Sequence, residues 1–195
     1  MRKQATRERV LEAARDLFDE VGYEDAAIRE IARRAGVSIG SVFTTFGGKA
    51  DLLAAVMNDR LESLCGELDR LIPHLRGSTA DRLRSIMALH YGFETRRLRL
   101  FVAYIGASYG WSATEGSTPL GHNERLRGML TDTLRQGIAR GDVRPNADLD
   151  TCVDIIVATY VWNYRQAQDA NTSTDDLIAL MDRQIGLLFE GVSAR

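Results

Sequence analysis

Proline is scarce in this chain, three in 195 residues. No segment sustains the strict alternation of apolar and polar residues that a half-buried strand needs. Together these exclude a sheet-based fold and leave an all-α one. Cysteine is equally sparse. Cys65 and Cys152 are the two present, and neither belongs to a metal or redox spacing. They read as buried reduced thiols of a cytoplasmic protein, not as a disulfide framework. Histidine is limited to His74, His90 and His122, far apart in sequence. No Gly-rich phosphate loop, nucleophile elbow, HExxH or Cys/His spacing occurs. The sequence therefore points to no enzyme, no metal and no cofactor. No apolar run approaches the roughly 18 residues of a membrane helix. The N-terminus is charged and then amphipathic, unlike a signal peptide. Excess positive charge is absent too: the formal net charge is −2.

What is present is concentrated between Thr6 and Leu53. Val10, Leu11, Ala14, Leu17, Phe18 and Val21 make one helical stripe, with Thr6 as a candidate cap and Gly22 as the stop. Ile28, Ile31, Ala32 and Ala35 make a second stripe, and Val42, Phe43 and Phe46 a third. Between the last two lies Ala35-Gly36-Val37-Ser38. Gly36 suits the left-handed conformation that closes a helix, and Ser38 suits the N-cap of the next. Two helices joined by so short a turn, with a third behind, form a helix-turn-helix, whose second helix enters the DNA major groove. A bare three-helix core would explain the stripes but not the outward Ile39, Gly40, Ser41, Thr44 and Thr45.

The segment resembles the DNA-binding domain of the tetracycline-repressor (TetR) family of bacterial transcription regulators. The resemblance rests on Ala13-Ala14, Phe18, Gly22-Tyr23, Ile31-Ala32, Ala35-Gly36-Val37-Ser38, Gly40, Phe46, Lys49 and Leu52. It covers about the first quarter of the chain; the rest agrees with the family in length and helical pattern. Four positions depart from the family pattern: Ala26-Ala27 replaces a Thr-Ser or Thr-Thr pair, Phe43 a Tyr, Thr45 a His, and Gly48 a capping Ser. Each change removes a phosphate-contacting or capping group, which bears on DNA affinity more than on fold. Residues 1–49 carry nine basic and eight acidic side chains, so bulk charge does not by itself indicate DNA. Arg2 and Lys3 are compatible with an arm reaching the minor groove or with a disordered end. Arg33 and Arg34 are compatible with DNA contact or with a solvated face. The DNA-contacting set expected is Ile39, Gly40, Ser41, Phe43, Thr44, Thr45 and Lys49. Within it Ile39, Ser41 and Thr44 meet base edges or thymine methyls, and Thr45 and Lys49 meet phosphate.

Six more helices are expected beyond Lys49, about nine in all. The first runs from Lys49 to Leu71 and is broken by Pro73 and Gly77. The next starts with Thr79 as N-cap and is interrupted at Gly92. Then come Arg96–Tyr109, a Gly- and Ser-rich loop over Trp111–Asn123, Glu124–Arg140, Asp148–Asp169 and Thr174–Glu190. Of fourteen aromatics, none lies between residues 47 and 90, and nine fall in two later segments. Aromatic rings with a few polar groups line ligand cavities between helices. The pocket expected therefore draws on Met87, His90, Tyr91, Glu94, Tyr104, Tyr109, Trp111, Trp162 and Asn163. Its occupant is a flat or largely apolar organic molecule, with an anion paired to Arg97 as the alternative. The last two helices carry apolar residues over more than one face, among them Ile155, Trp162, Ile185 and Leu188. A second subunit is needed to cover them. In the family these helices form the dimer interface.

The reading is an N-terminal helix-turn-helix DNA-binding domain over 1–48 and a larger helical ligand-binding and dimerisation domain over 49–195. The function expected is a cytoplasmic, homodimeric regulator, a repressor released from a double-stranded, pseudo-palindromic operator by a small apolar or aromatic effector. The alternative is a helical small-molecule-binding module with weak or lost DNA binding.

Overall fold

The computed structural model describes residues 2–108, 123–166 and 172–192. Among these residues there are nine α-helices and no strands: α1 Arg2–Val21, α2 Ile28–Ala35, α3 Ile39–Phe46, α4 Lys49–Leu71, α5 Thr79–Glu94, α6 Leu98–Ser108, α7 Glu124–Arg140, α8 Leu149–Gln166 and α9 Thr174–Val192. Two 3-10 turns, Ile72–His74 and Thr95–Arg97, precede α5 and α6. The expected loop over Trp111–Asn123 lies, but for Asn123, outside the described residues.

The chain packs as two compact units. One comprises Met1–Ser63 and Arg97–Pro119, the other Leu64–Arg96 and Leu120–Arg195. In the first, α1 packs on α2 and α2 on α3, around buried Val10, Ala14, Phe18, Ile31, Ala32, Val42 and Phe46. Val21, placed on the apolar stripe by its spacing, is 43% exposed, one turn past the core. Helix α1 starts at Arg2, so Thr6 lies inside it and Arg2 and Lys3 are helical rather than an unfolded arm. Its first turns are built from good helix formers, and Gln4 donates to Glu8 one turn on, at 3.0 Å.

In the second unit, α5 packs on α7 and α9, and α8 packs on α7 and α9. Each of the four helices thus touches two others in a closed ring, the plan of a four-helix bundle. The N-cap of α5 is Ser78, not Thr79. Ser78 Oγ accepts from the Asp81 N–H, and Asp81 answers to the Ser78 N–H, a capping box. Thr79 instead joins a clasp to the end of α7. Its N–H and hydroxyl donate to Asp142 at 2.6 and 2.7 Å, and Arg140 donates to its hydroxyl at 2.7 Å. Gly92 does not interrupt α5, which continues to Glu94. Helix α7 ends on left-handed Gly141 and α8 begins after Asp148, whose carboxylate accepts the Thr151 N–H at 3.0 Å.

The clasp closes over Gly137. A methyl there would overlap the Thr79 hydroxyl and come within 2.6 Å of Val143 Cγ2. Gly137→Ala should therefore destabilise the protein by about 1–3 kcal/mol despite the better helix propensity of alanine. Urea denaturation should show a lower midpoint for it than for a control such as Gly128→Ala, where the added methyl meets open space.

Candidate functional site

The α2–α3 turn is built as its residues dictate. Gly36 sits at φ 63°, ψ 40°, and its N–H reaches the carbonyls of Ala32 and Arg33, while Val37 donates to Ala32 at 3.0 Å. Two residues later Ser38 Oγ accepts the Ser41 N–H at 3.1 Å. Val42 and Phe46 are buried and anchor α3 from behind. The outer arc of α3 is Ile39, Gly40, Phe43 and Thr44, all exposed, with Ser41 and Thr45 half-buried at its edges. Ala27 occupies the N-cap of α2 with no side-chain hydrogen bond to offer, as its lack of a hydroxyl requires. Ala26 is buried.

Two surface features flank this arc. Arg33 and Arg34 both donate to Glu30, and Arg34 also grips Glu20 through two bonds of 2.8 Å. The Arg33 and then the Arg34 hydrogen bonds hold the half-buried Glu30 carboxyl down to about 2. Both arginines are thus neutralised within the domain. Lys49 is half-buried. Its ammonium donates to the Glu24 carbonyl at 2.8 Å and lies 4.6 Å from the Tyr23 ring centre, tying the start of α4 to the α1–α2 turn. An ammonium has three protons, so this bond leaves others for a phosphate.

Residues 10–56 match the sequence model of bacterial regulatory proteins, tetR family. The chain carries the TetR-family DNA-binding domain. The HTH-type transcriptional regulator SrpR of Pseudomonas putida is 29% identical over 153 residues, 77% of this chain and 69% of that protein. Two solved structures share the fold almost end to end. Thermus thermophilus FadR, a TetR-family transcriptional repressor in complex with lauroyl-CoA, is 24% identical with a TM-score of 0.75 and covers 97% of this chain and 96% of that one. Bacillus subtilis FadR in complex with stearoyl-CoA is 19% identical with a TM-score of 0.74, over 94% and 98%. Over residues 10–56 the chain is similar to the tetR family, and over nearly its whole length it shares the fold of these regulators.

The residues expected to line an effector pocket divide into groups. Met87, His90, Tyr91, Glu94 and Asn163 are buried in the bundle unit, and Tyr104 is buried in the first unit. Tyr109 and Trp111 lie outside the described residues. Trp162 is corrected: it is 56% exposed in the protomer, because one helical step of 100° separates it from buried Asn163. Arg97, the alternative anion partner, is paired with Asp19 in the first unit.

The buried members are linked. Asn163 donates to the Tyr91 hydroxyl at 3.0 Å and exchanges two bonds with Gln184, at 2.7 and 3.0 Å. The Tyr160 hydroxyl donates to that of Tyr164 at 3.2 Å, and the Tyr91 and Tyr160 ring centres are 5.0 Å apart. Tyr160 and Gln184 were not expected from sequence; the signal for Gln184 was a lone amide among the apolar residues of α9. The His90 ring meets Tyr160 edge-on at 4.3 Å, and its Nδ1 is buried without a hydrogen-bond partner. Burial drives the His90 pKa from 6.5 down to about 3 and pushes both Tyr91 and Tyr160 up.

Between those two His90 values the unfolded chain takes up a proton that the folded chain refuses. The stability contributed by neutral His90 is complete above pH 6.5 and falls as the pH drops toward 3. Urea midpoints measured from pH 7 to 4 should fall less steeply for His90→Gln than for the wild type. Equal slopes would remove His90 from the acid response.

Proposed function

We propose that the chain is a homodimeric, effector-responsive repressor. Residues 1–48 bind a pseudo-palindromic operator, and residues 49–195 bind the effector and dimerise. The observation that carries this is an α3 held by a capped turn and two buried anchors, with its whole outer arc bare, inside a segment matching a DNA-binding family. The contact set is Ile39, Gly40, Ser41, Phe43, Thr44 and Thr45, with Lys49 on a phosphate. Lys49→Ala should weaken operator binding across sequences and flatten the dependence of log affinity on log salt by about one unit. Fluorescence anisotropy over a salt series measures both. An unchanged slope would assign Lys49 to the internal tie alone.

The effector class follows from the buried bundle residues. Met87 and Tyr91 offer apolar surface, while His90 and Glu94 offer a few orienting polar groups. A neutral His90 favours a largely apolar effector over a charged one. The lauroyl-CoA and stearoyl-CoA of the two structural neighbours share an apolar acyl chain with that class but add an anionic CoA moiety, and at their identity these structures speak to fold alone. Binding acts by favouring one of two arrangements of the dimer, which requires different effector affinity in each.

Dimerisation rests on apolar surface that the protomer leaves bare on α8 and α9. Ile155 is 45% exposed, Trp162 56% and Leu187 68%. Ile155 and Trp162 are seven residues apart, on one stripe of α8. Ile185, by contrast, is 1% exposed and belongs to the protomer core. Leu187→Asp should yield a folded monomer by sedimentation velocity, whereas Ile185→Asp should fail to fold. A wild-type monomer at micromolar concentration would sink the dimer.

A second reading, a small-molecule-binding module with weak DNA affinity, is favoured by the uncapped start of α2 and the internally paired Arg33 and Arg34. Binding to a library of duplexes at low salt separates the two.

A further inference from the structure

Helix α3 is unusual for a helix offered to DNA in what its outer arc is made of. Its sequence, IGSVFTTF, contains no Arg, Lys, Asn, Gln, Asp or Glu. Bidentate reading of guanine needs Arg or Lys, and of adenine Asn or Gln. None of the side chains of α3 can do either. The hydroxyl protons of its two threonines are also engaged at home. Thr44 donates to the Gly40 carbonyl at 2.8 Å and Thr45 to the Ser41 carbonyl at 2.7 Å, while the Ser41 and Ser38 hydroxyls share a bond of 2.8 Å. With its hydroxyl turned back onto the helix, Thr44 is left with a methyl group for the outer arc.

The arc also leaves Ile39 43% and Phe43 49% exposed, four residues apart on one face. Gly40 lies beside them. Its conformation is helical, not left-handed, and a methyl added there would meet only Ser38 Oγ at 3.9 Å. Nothing inside the protein requires glycine at this position, and alanine would favour the helix. A gap on the outer arc instead lets an external surface come close to the backbone.

We propose that α3 reads its half-site through thymine 5-methyl groups, with Ile39, Phe43 and the Thr44 methyl as the reading surface and Gly40 as the gap that admits the base edge. This rests on the DNA-binding function proposed above. In the major groove thymine alone among the four bases presents a methyl group. An apolar arc therefore still discriminates thymine, and it does so by burial and not by hydrogen bonding.

The test begins with duplexes selected from a random library by the full-length protein. Each thymine of one half-site is then replaced by deoxyuridine, which keeps pairing and removes only the methyl. Two or more positions should each lose affinity about fourfold, the worth of one buried methyl. Replacing guanine or adenine by its 7-deaza analogue in the same half-site should change little. In Phe43→Ala and Ile39→Ala, both at exposed positions, the uracil penalty should vanish at the base that the lost side chain covers and persist elsewhere. Gly40→Ala should keep full helix content by circular dichroism yet bind the selected duplex at least tenfold more weakly. If the protein binds selected duplexes but uracil is neutral at every position, or the 7-deaza analogues abolish binding, the methyl readout is wrong while the DNA-binding reading stands. If no duplex is bound at low salt, both fall together.

Discussion

The position of α3 depends on one short piece of backbone. An eight-residue helix has too few hydrogen bonds to hold itself in water. Here α3 is held because Gly36 ends α2 in the left-handed region and Ser38 restarts a helix two residues later. Buried Val42 and Phe46 then fix its rotation about its own axis. The outward placement of Ile39, Phe43 and Thr44 follows from that rotation. The Lys49 tie to Glu24 and Tyr23 supports the same unit from the far end of α3.

The second unit relies on a different device. Tyr91, Asn163 and Gln184 place polar atoms among apolar side chains, which is costly unless each finds a partner. The reciprocal Asn163–Gln184 bonds satisfy both amides at once and lock the register of α8 against α9. A slip of either helix by one residue would leave several buried groups unpaired. Glu94, buried one turn beyond His90, adds a carboxyl group to the same region.

Much of this architecture was legible in the residues. Left-handed glycines closed α2 and α7 where periodicity ended, and the span Glu124–Arg140 is observed as read. The TetR resemblance, carried by the turn and its flanking residues, agrees with the family match over 10–56. The failures share physical causes. A cap depends on which side chain meets which N–H, so Ser78 and Thr79 could not be told apart by type. Gly92 is a weak breaker once packing on both sides supports the helix. Aromatics crowded in sequence do not point one way on a helix, which is why Trp162 faces out while Asn163 faces in. Long-range pairings such as Asn163 with Gln184 or Thr79 with Asp142 leave no local pattern at all.

The pairing of Arg33 and Arg34 with Glu30 and Glu20 bears on how such a protein searches a genome. Weak, sequence-blind attachment to duplex DNA comes almost wholly from cations facing phosphates. A domain that offsets Arg33 and Arg34 with its own carboxylates has less net positive charge beside the turn to contribute to that attachment. It would spend little time sliding on irrelevant sequence, and fewer molecules would be held there. If the domain binds an operator as proposed, discrimination against bulk DNA would come from a low background as much as from a tight site.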